Sequence, residues 1–298
     1  MTQVGEAIEV HPARSAPVQA RRVGLWKPVL LSASIVLLYY PVLYKLVTDW
    51  WNDPNFSHGF FVPLFSAYLV WEKRSDLRSL VVKPSAFGFV VVIGAMCLLV
   101  LGTLGAELFL SRTSLVFLLG GLILVFGGFG WMRALLFPWL FLFFMIPIPA
   151  IIFNQITFPL QLLASRLASA VLPVFQVPVL REGNVIHLPS MPLEVAEACS
   201  GIRSLMSLGT LAIIYGYFLD SITWRRVALA IAAIPIAVAA NALRIVGTGL
   251  AVQYWNPDRA LGFFHEFSGW VIFVVSVGLL FAVHKVLRLI SRDKGVPA

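Results

Sequence analysis

Charge is scarce in this sequence: Asp, Glu, Lys and Arg make up 12% of its 298 residues, against 59% hydrophobic side chains. So little charge cannot cover a water-soluble domain of this size. Acids are scarcer than bases, 14 against 22 for a net charge of +8. The bases stand in short clusters beside apolar runs rather than along one face, which argues against a nucleic-acid surface and for membrane orientation. Cysteine is nearly absent, with two in the whole chain. Cys97 sits within the apolar run "AMCLLV" and Cys199 at the mouth of another, so a disulfide framework is excluded, and no Cys-x-x-Cys motif is present. Internal repeats and a Gly-rich phosphate loop are also missing. "HEFSG" at His265 has Gly269 where the second histidine of a zinc helix would stand. Neither a metal nor another cofactor is therefore expected.

What the sequence has in abundance is long apolar runs. A bilayer core about 30 Å thick needs roughly 20 apolar residues per helix. Hydropathy predicts spans near 28–48, 58–71, 86–110, 113–130, 134–153, 200–219, 227–250 and 266–287. The expected fold is an all-α polytopic membrane protein with about eight transmembrane helices and its largest outer segment between helices five and six. Residues 1–27 read as a basic tail carrying Arg14, Arg21, Arg22 and Lys27, and 28–298 as one membrane domain. The tail has no apolar core followed by a small-residue cleavage site, so the first span is expected to stay attached. With both termini cytoplasmic, most of the 22 basic residues fall on the inner side.

In the outer segment, "NQITFPLQLLASRLASAVLP" repeats Leu160, Leu163, Leu167 and Val171 at helical spacing beside Gln161, Ser165, Arg166 and Ser169. It reads as an interfacial helix. "VFQVPVLREGNVIHLPSMPLEV" then places apolar runs around Glu182-Gly183-Asn184, which fits a hairpin or an ordered connector leading towards Cys199.

This topology brings Cys199, Arg244 and His265 to one membrane depth from three separate helices. An arginine within a span costs about 2.5–3.5 kcal/mol on insertion scales, so it normally faces a partner or a wet cavity. A cysteine that begins a helix is exposed to the positive dipole end, which favours the thiolate. His265 has the chemistry to exchange a proton near neutral pH. Arg244 can donate hydrogen bonds to an oxyanion. Arg203 follows Cys199 by four residues, hence on the same helical face, and can assist its charge or dock to Glu194 or Glu197. Each residue also has a structural explanation taken singly: packing for Cys199, an interface for His265, a bridge to carbonyls for Arg244. His11, His187 and His284 offer no convincing partners. Together the cluster suggests acyl transfer from a peptide carbonyl through a thioester.

The chain resembles the exosortase family of membrane cysteine transpeptidases. The resemblance spans nearly everything after the basic tail. Its strongest block is "REGNVIHLPSMPLEVAEACSGIRSL", with "NALRI" around Arg244 and "HEFSGW" around His265; "NFSHGFFVP" and "FMIPIP" resemble further family features. The resemblance implies Cys199 as nucleophile, Arg244 as the catalytic arginine and His265 as acid/base. Glu197, Arg203 and His58 are supporting candidates, with His58 either lining the site or packing a loop. It also implies membrane-anchored protein substrates with a C-terminal Pro-Glu-Pro sorting signal, an apolar helix and a basic end, delivered through the bilayer of a bacterial inner membrane to a site facing outwards. The acceptor is left open.

Three other functions compete with this one. A transporter or channel would employ Arg244 and His265 on an anion or protons, but it lacks paired repeats and gives Cys199 no task. A lipid acyltransferase would use the same thiol, and a scaffold would need none of the three. In a Cys97→Ala background, a membrane-impermeant maleimide added from outside should label Cys199; labelling only after the inner face is opened would contradict the orientation.

Overall fold

The computed structural model of the protein describes residues 26–195, 201–255 and 263–292, the last with side chains over 267–290. Two compact units divide at Tyr40. The described part of the first is helix α1, Trp26–Leu38, whose exposed Val29, Leu30, Val36 and Leu37 suit a lipid environment. Helix α2, Tyr40–Asn52, leads into the second.

Within the second unit, a 3-10 turn at Ser57–Phe60 precedes α3, Phe61–Glu72, and the short α4, Arg74–Ser79. Then come α5, Phe87–Leu104, and α6, Leu108–Phe126, which pack against each other along their length. Next are α7, Gly128–Ala134, α8, Leu136–Phe141, and the long α9, Ala150–Val171. Three strands follow: β1, Leu180–Glu182, β2, Val185–His187, and β3, Pro192–Glu194. Three more helices complete the described chain: α10, Ile202–Leu219, α11, Thr223–Tyr254, and α12, Phe263–Arg292.

Six described helical stretches are long and apolar enough to cross a membrane, or up to eight if Val29–Leu38 with Tyr40–Asn52 and Gly128–Ala134 with Leu136–Met145 each count as one span. The architecture is that of an all-α polytopic membrane protein carrying one small sheet. The expected count of about eight equals the upper of these two counts, but two elements differ from expectation. The span expected at 58–71 is a helix of 12 residues, Phe61–Glu72. The span expected at 134–153 is broken: α7 and the α8 segment meet at a 65° bend. Ile146 is extended before Pro147, and Pro149 has ψ near 138°. Proline lacks an amide donor and disfavours a helical residue before it, so "IPIP" ends one helix and restarts another.

The restarted helix continues through the stretch expected to form an interfacial helix. Residues 154–171 belong to α9, and Ala150–Phe175 spans 26 residues with a mean hydropathy of 1.4, enough to cross a membrane. Of the polar residues that suggested an interfacial position, Ser165 is buried against protein and Arg166 is exposed. Ser165 donates to the Gly183 carbonyl at 3.0 Å.

The hairpin reading holds. β1 and β2 pair antiparallel with Glu182 opposite Val185, and β2 pairs with β3 with Ile186 opposite Leu193. Gly183, with φ +62°, takes the first loop position, where a type II′ turn favours glycine. Ile186, Leu193 and Val195 then pack with Ala164, Ala168 and Leu172 of the α9 region and Ile245, Val246 and Val252 of α11. This core fixes the strand that enters the Cys199 segment. A second core joins Leu208 and Ala212 of α10, Leu229, Ala233 and Ala237 of α11, and Leu280 of α12.

Two buried polar clusters fasten the helices. His284 does have partners, contrary to the sequence reading: its Nε2 lies 3.1 Å from Asp220 Oδ2 and its Nδ1 2.8 Å from the Tyr215 hydroxyl. His187 likewise pairs with Glu182 at 3.3 Å. The His284 pair is not readable in one dimension, since 64 residues separate His284 from Asp220. Burial pushes the Asp220 carboxyl up, but the Ile222 N–H, His284 and Arg225 outweigh it and hold it below the usual carboxylate range. Elsewhere in the unit, buried Arg112 of α6 pairs with Asp49 of α2.

Removing one member of a buried ion pair leaves the other charge uncompensated. Asp49→Ala should therefore lower stability by about 3 kcal/mol, the lower end for such pairs because Asp49 is 25% exposed. Lys45→Ala, at the exposed end of the same cluster, should change it by about 0.5 kcal/mol or less. Thermal unfolding in detergent checks both; equal losses would contradict the buried role of Arg112.

Candidate active site

Arg203 at the start of α10, Arg244 of α11 and Gly269 of α12 line one space. Gly201 caps α10 in the left-handed conformation, φ +82°. The first helical hydrogen bond runs from the Leu205 N–H to the Gly201 carbonyl at 2.9 Å. A side chain on Gly201 would be strained by this φ and would press within 3.0 Å of Asn241 Cβ. The sharp turn therefore lets the start of α10 sit directly on α11.

This turn corrects one expectation. Helix α10 starts at Ile202 and its cap Gly201 is left-handed, so helical spacing does not carry through Gly201 to Arg203. Cys199 and Glu197 lie outside the described residues, and so does the N-terminal tail before Trp26.

Asn241 is three residues before Arg244 on α11, almost one turn away. The Arg244 guanidinium lies against Gly269 of α12: a Cβ built there would be 3.5 Å from Arg244 Cζ and Nη2. Gly269 is four residues after His265, so His265 occupies the turn of α12 preceding this contact. Its side chain lies outside those described. The two arginines proposed from sequence share one cavity of about 660 Å³, lined by Pro54, Ser57, Gly201, Arg203, Ser204, Ser207, Arg244, Gly269, Trp270 and Phe273. Its wall thus includes the residue two positions after Cys199 and the one four positions after His265. Glu194 forms no ion pair with Arg203; among the described residues, the acids that pair with cations are Asp49, Glu182 and Asp220.

The fourth side of the cavity comes from the loop after α2, which the sequence had left without a chemical task. The Asp53 carboxylate accepts from the Asn55 N–H at 2.8 Å, and the Asn55 side-chain carbonyl oxygen accepts from Arg203 Nε at 3.4 Å. Trp50 secures the loop from behind by donating its indole N–H to the Met145 carbonyl at 2.8 Å. His58, in the next turn, is turned inwards at 6% exposure and is not among the lining residues. Ser57 beside it is. Asn55 and Ser57 belong to "NFSHGFFVP", so the stretch was visible but the residue that faces the cavity was not. Asn241 left a plainer signal: a polar side chain one turn from an arginine inside an apolar span.

Among the described residues, no group of three or more His, Cys, Asp or Glu could hold a metal ion. The cavity instead joins two guanidinium groups and three hydroxyls to an aromatic wall. That combination suits a polar, anionic or oxyanion-bearing group attached to an apolar body.

Neither a curated protein nor a solved structure matches the chain. A family model described as transmembrane exosortase matches residues 50–282. The match takes in the loop of Asn55, the sheet, Cys199, both cavity arginines and His265. Covering well over half of the sequence, it shows that this membrane protein belongs to the transmembrane exosortase family.

Proposed function

We propose that the protein is a cysteine transpeptidase of the bacterial inner membrane that cleaves C-terminal sorting signals of the Pro-Glu-Pro type from exported, membrane-anchored proteins and transfers them to an acceptor. The observation that supports this reading is the cavity in which Arg244 meets the start of α10, just beyond Cys199, and Gly269, one turn beyond His265. On this reading, residues 1–27 form a cytoplasmic tail and 28–298 the membrane domain, with both termini inside and the cavity opening outwards.

Each residue then has one task. The Cys199 thiol gives its proton to His265, and the sulfur attacks the carbonyl carbon of the peptide bond just outside the substrate's apolar helix. Arg244 donates hydrogen bonds to the oxygen as it gains negative charge, an interaction strengthened where water is scarce. The carbon–nitrogen bond breaks, His265 returns the proton to the leaving amine, and the apolar helix departs. A thioester to Cys199 remains. An external nucleophile attacks it, His265 accepts that nucleophile's proton, and the thiolate is released. Water in the same position makes the reaction hydrolysis. Arg203, Glu197 and His58 support this set from the surrounding wall and loop.

The guanidinium of Arg244 is suited to the oxyanion task because five fixed donors remain charged at every physiological pH. Removing a donor of this kind costs about a hundred- to a thousandfold in rate, and losing a general acid/base about a hundred- to ten-thousandfold. The test is processing of a tagged sorting-signal substrate in membranes containing equal amounts of each variant. Cys199→Ala should abolish cleavage, Arg244→Ala and His265→Ala should reduce it by these factors, and His265→Ala should also flatten the pH profile near neutrality. Normal processing by Cys199→Ala would overturn the assignment.

A further inference from the structure

We infer that the open edge of strand β3 is a peptide-binding site, on which an extended segment of the substrate close to the reacting bond pairs as a fourth strand and is held by its main chain. This deepens the transpeptidase reading and rests on it. The first observation is the register of the sheet. Its strand order is β1-β2-β3, so β3 has β2 on one side only. The Val195 N–H donates to the Asn184 carbonyl at 2.9 Å and the Leu188 N–H to the Met191 carbonyl at 3.1 Å. In an antiparallel ladder bonded and non-bonded pairs alternate, so Ile186 and Leu193 between them are also a bonded pair, whereas Val185 with Glu194 and His187 with Pro192 are non-bonded pairs. The main-chain groups of Glu194 and Pro192 therefore point away from β2. Among the described residues none bonds the Glu194 N–H, and both residues are exposed.

The edge thus offers one donor, the Glu194 N–H, and two acceptors, the carbonyls of Glu194 and Pro192. That pattern matches the backbone of an extended peptide, the ligand that adds a strand to a sheet edge. Pro192 has no N–H to offer, and an edge of three residues carrying a proline and a charge resists indiscriminate pairing with other chains. What is left open is short and specific in direction. The second observation is where this edge lies. Leu193 and Val195 on the inner face belong to the core that also holds Ile245 and Val246, the two residues after Arg244. Gly201, six residues after Val195 in the sequence, lines the cavity. A chain of six residues spans at most about 22 Å, so an extended substrate segment of similar length reaches from the edge to the cavity. The other edge is unlike this one, because helix α9 lies beside β1. Pairing through the main chain orders a substrate segment whatever its side chains, and it leaves the cavity to select and hold the reacting part.

The experiment uses the full-length protein in membranes with a tagged, membrane-anchored substrate. Glu194→Pro deletes the outward N–H and puts the pyrrolidine ring in its place, while every hydrogen bond to β2 is kept. It should raise KM about five- to thirtyfold with kcat little changed, the range of one or two neutral hydrogen bonds. Glu194→Ala and Glu194→Gln keep the N–H and should process the substrate like the wild type. A second measurement does not depend on how well the proline variant folds. Glu194→Cys, in a chain also carrying Cys97→Ala and Cys199→Ala, is oxidised with copper phenanthroline beside substrates that carry one cysteine each, moved residue by residue along the segment before the apolar helix. Disulfides should form at alternate positions, because every second side chain of a paired strand lies on the Glu194 face. Disulfides at every third or fourth position, or at none, would overturn the inference, and so would equal KM values for Glu194→Pro and Glu194→Ala. With a wild type that cleaves normally, either result leaves the transpeptidase reading standing. A wild type that cleaves no substrate would overturn both.

Discussion

An arginine in the middle of an apolar helix is the constraint around which this structure is arranged. Arg244 lies ten residues from the end of a 32-residue helix, too far along it for the side chain to be treated as a terminal residue reaching water. Its charge has to be accommodated where it is, and the protein does so by withdrawing side chains. Gly269 leaves the guanidinium a flat face to rest on, and Gly201 lets the start of α10 approach Asn241 one turn away. The cavity is the space created by these two approaches. The small antiparallel sheet packs on α9 and α11.

The rest of the membrane unit supports the same arrangement at a distance. Leu208 of α10, Leu229 and Ala233 of α11 and Leu280 of α12 form a dry core between the three helices, while Asp220, His284 and Tyr215 tie α10 and the loop after it to α12 through hydrogen bonds. At the loop side, Asp49 and Arg112 hold α2 to α6, and Trp50 fixes the segment that presents Asn55. Burying polar groups stabilises a bundle only when their partners are in place, so these contacts set where the helices can sit as much as how strongly they hold.

Much of this was legible in one dimension because bilayers impose a length and a composition on each helix. The apolar runs identified the class, and the glycine between two β-rich stretches identified the hairpin. Arg244 was noticeable because a charge in such a run is expensive. What the sequence concealed depends on contacts between distant segments. The polar residues of α9 gave no sign that one of them, Ser165, would bond the hairpin turn. His284 looked solitary because Asp220 and Tyr215 lie on α10 or just beyond it. The spacing of Cys199 and Arg203 suggested one helical face, and a single left-handed glycine between them removed that relation. Asn55 was hidden for another reason: a loop residue has no periodicity, and only its contact with Arg203 gives it a role.

The central claim is that the sulfur of Cys199 forms the covalent bond to substrate beside Arg244. The most direct measurement is mass spectrometry of the membrane-embedded protein after reaction with a sorting-signal analogue carrying an electrophilic vinyl sulfone in place of the scissile carbonyl. The account predicts a single adduct on the peptide containing Cys199, formed much more slowly when Arg244 is replaced. An inhibitory adduct on any other residue, with Cys199 left unmodified, would contradict it.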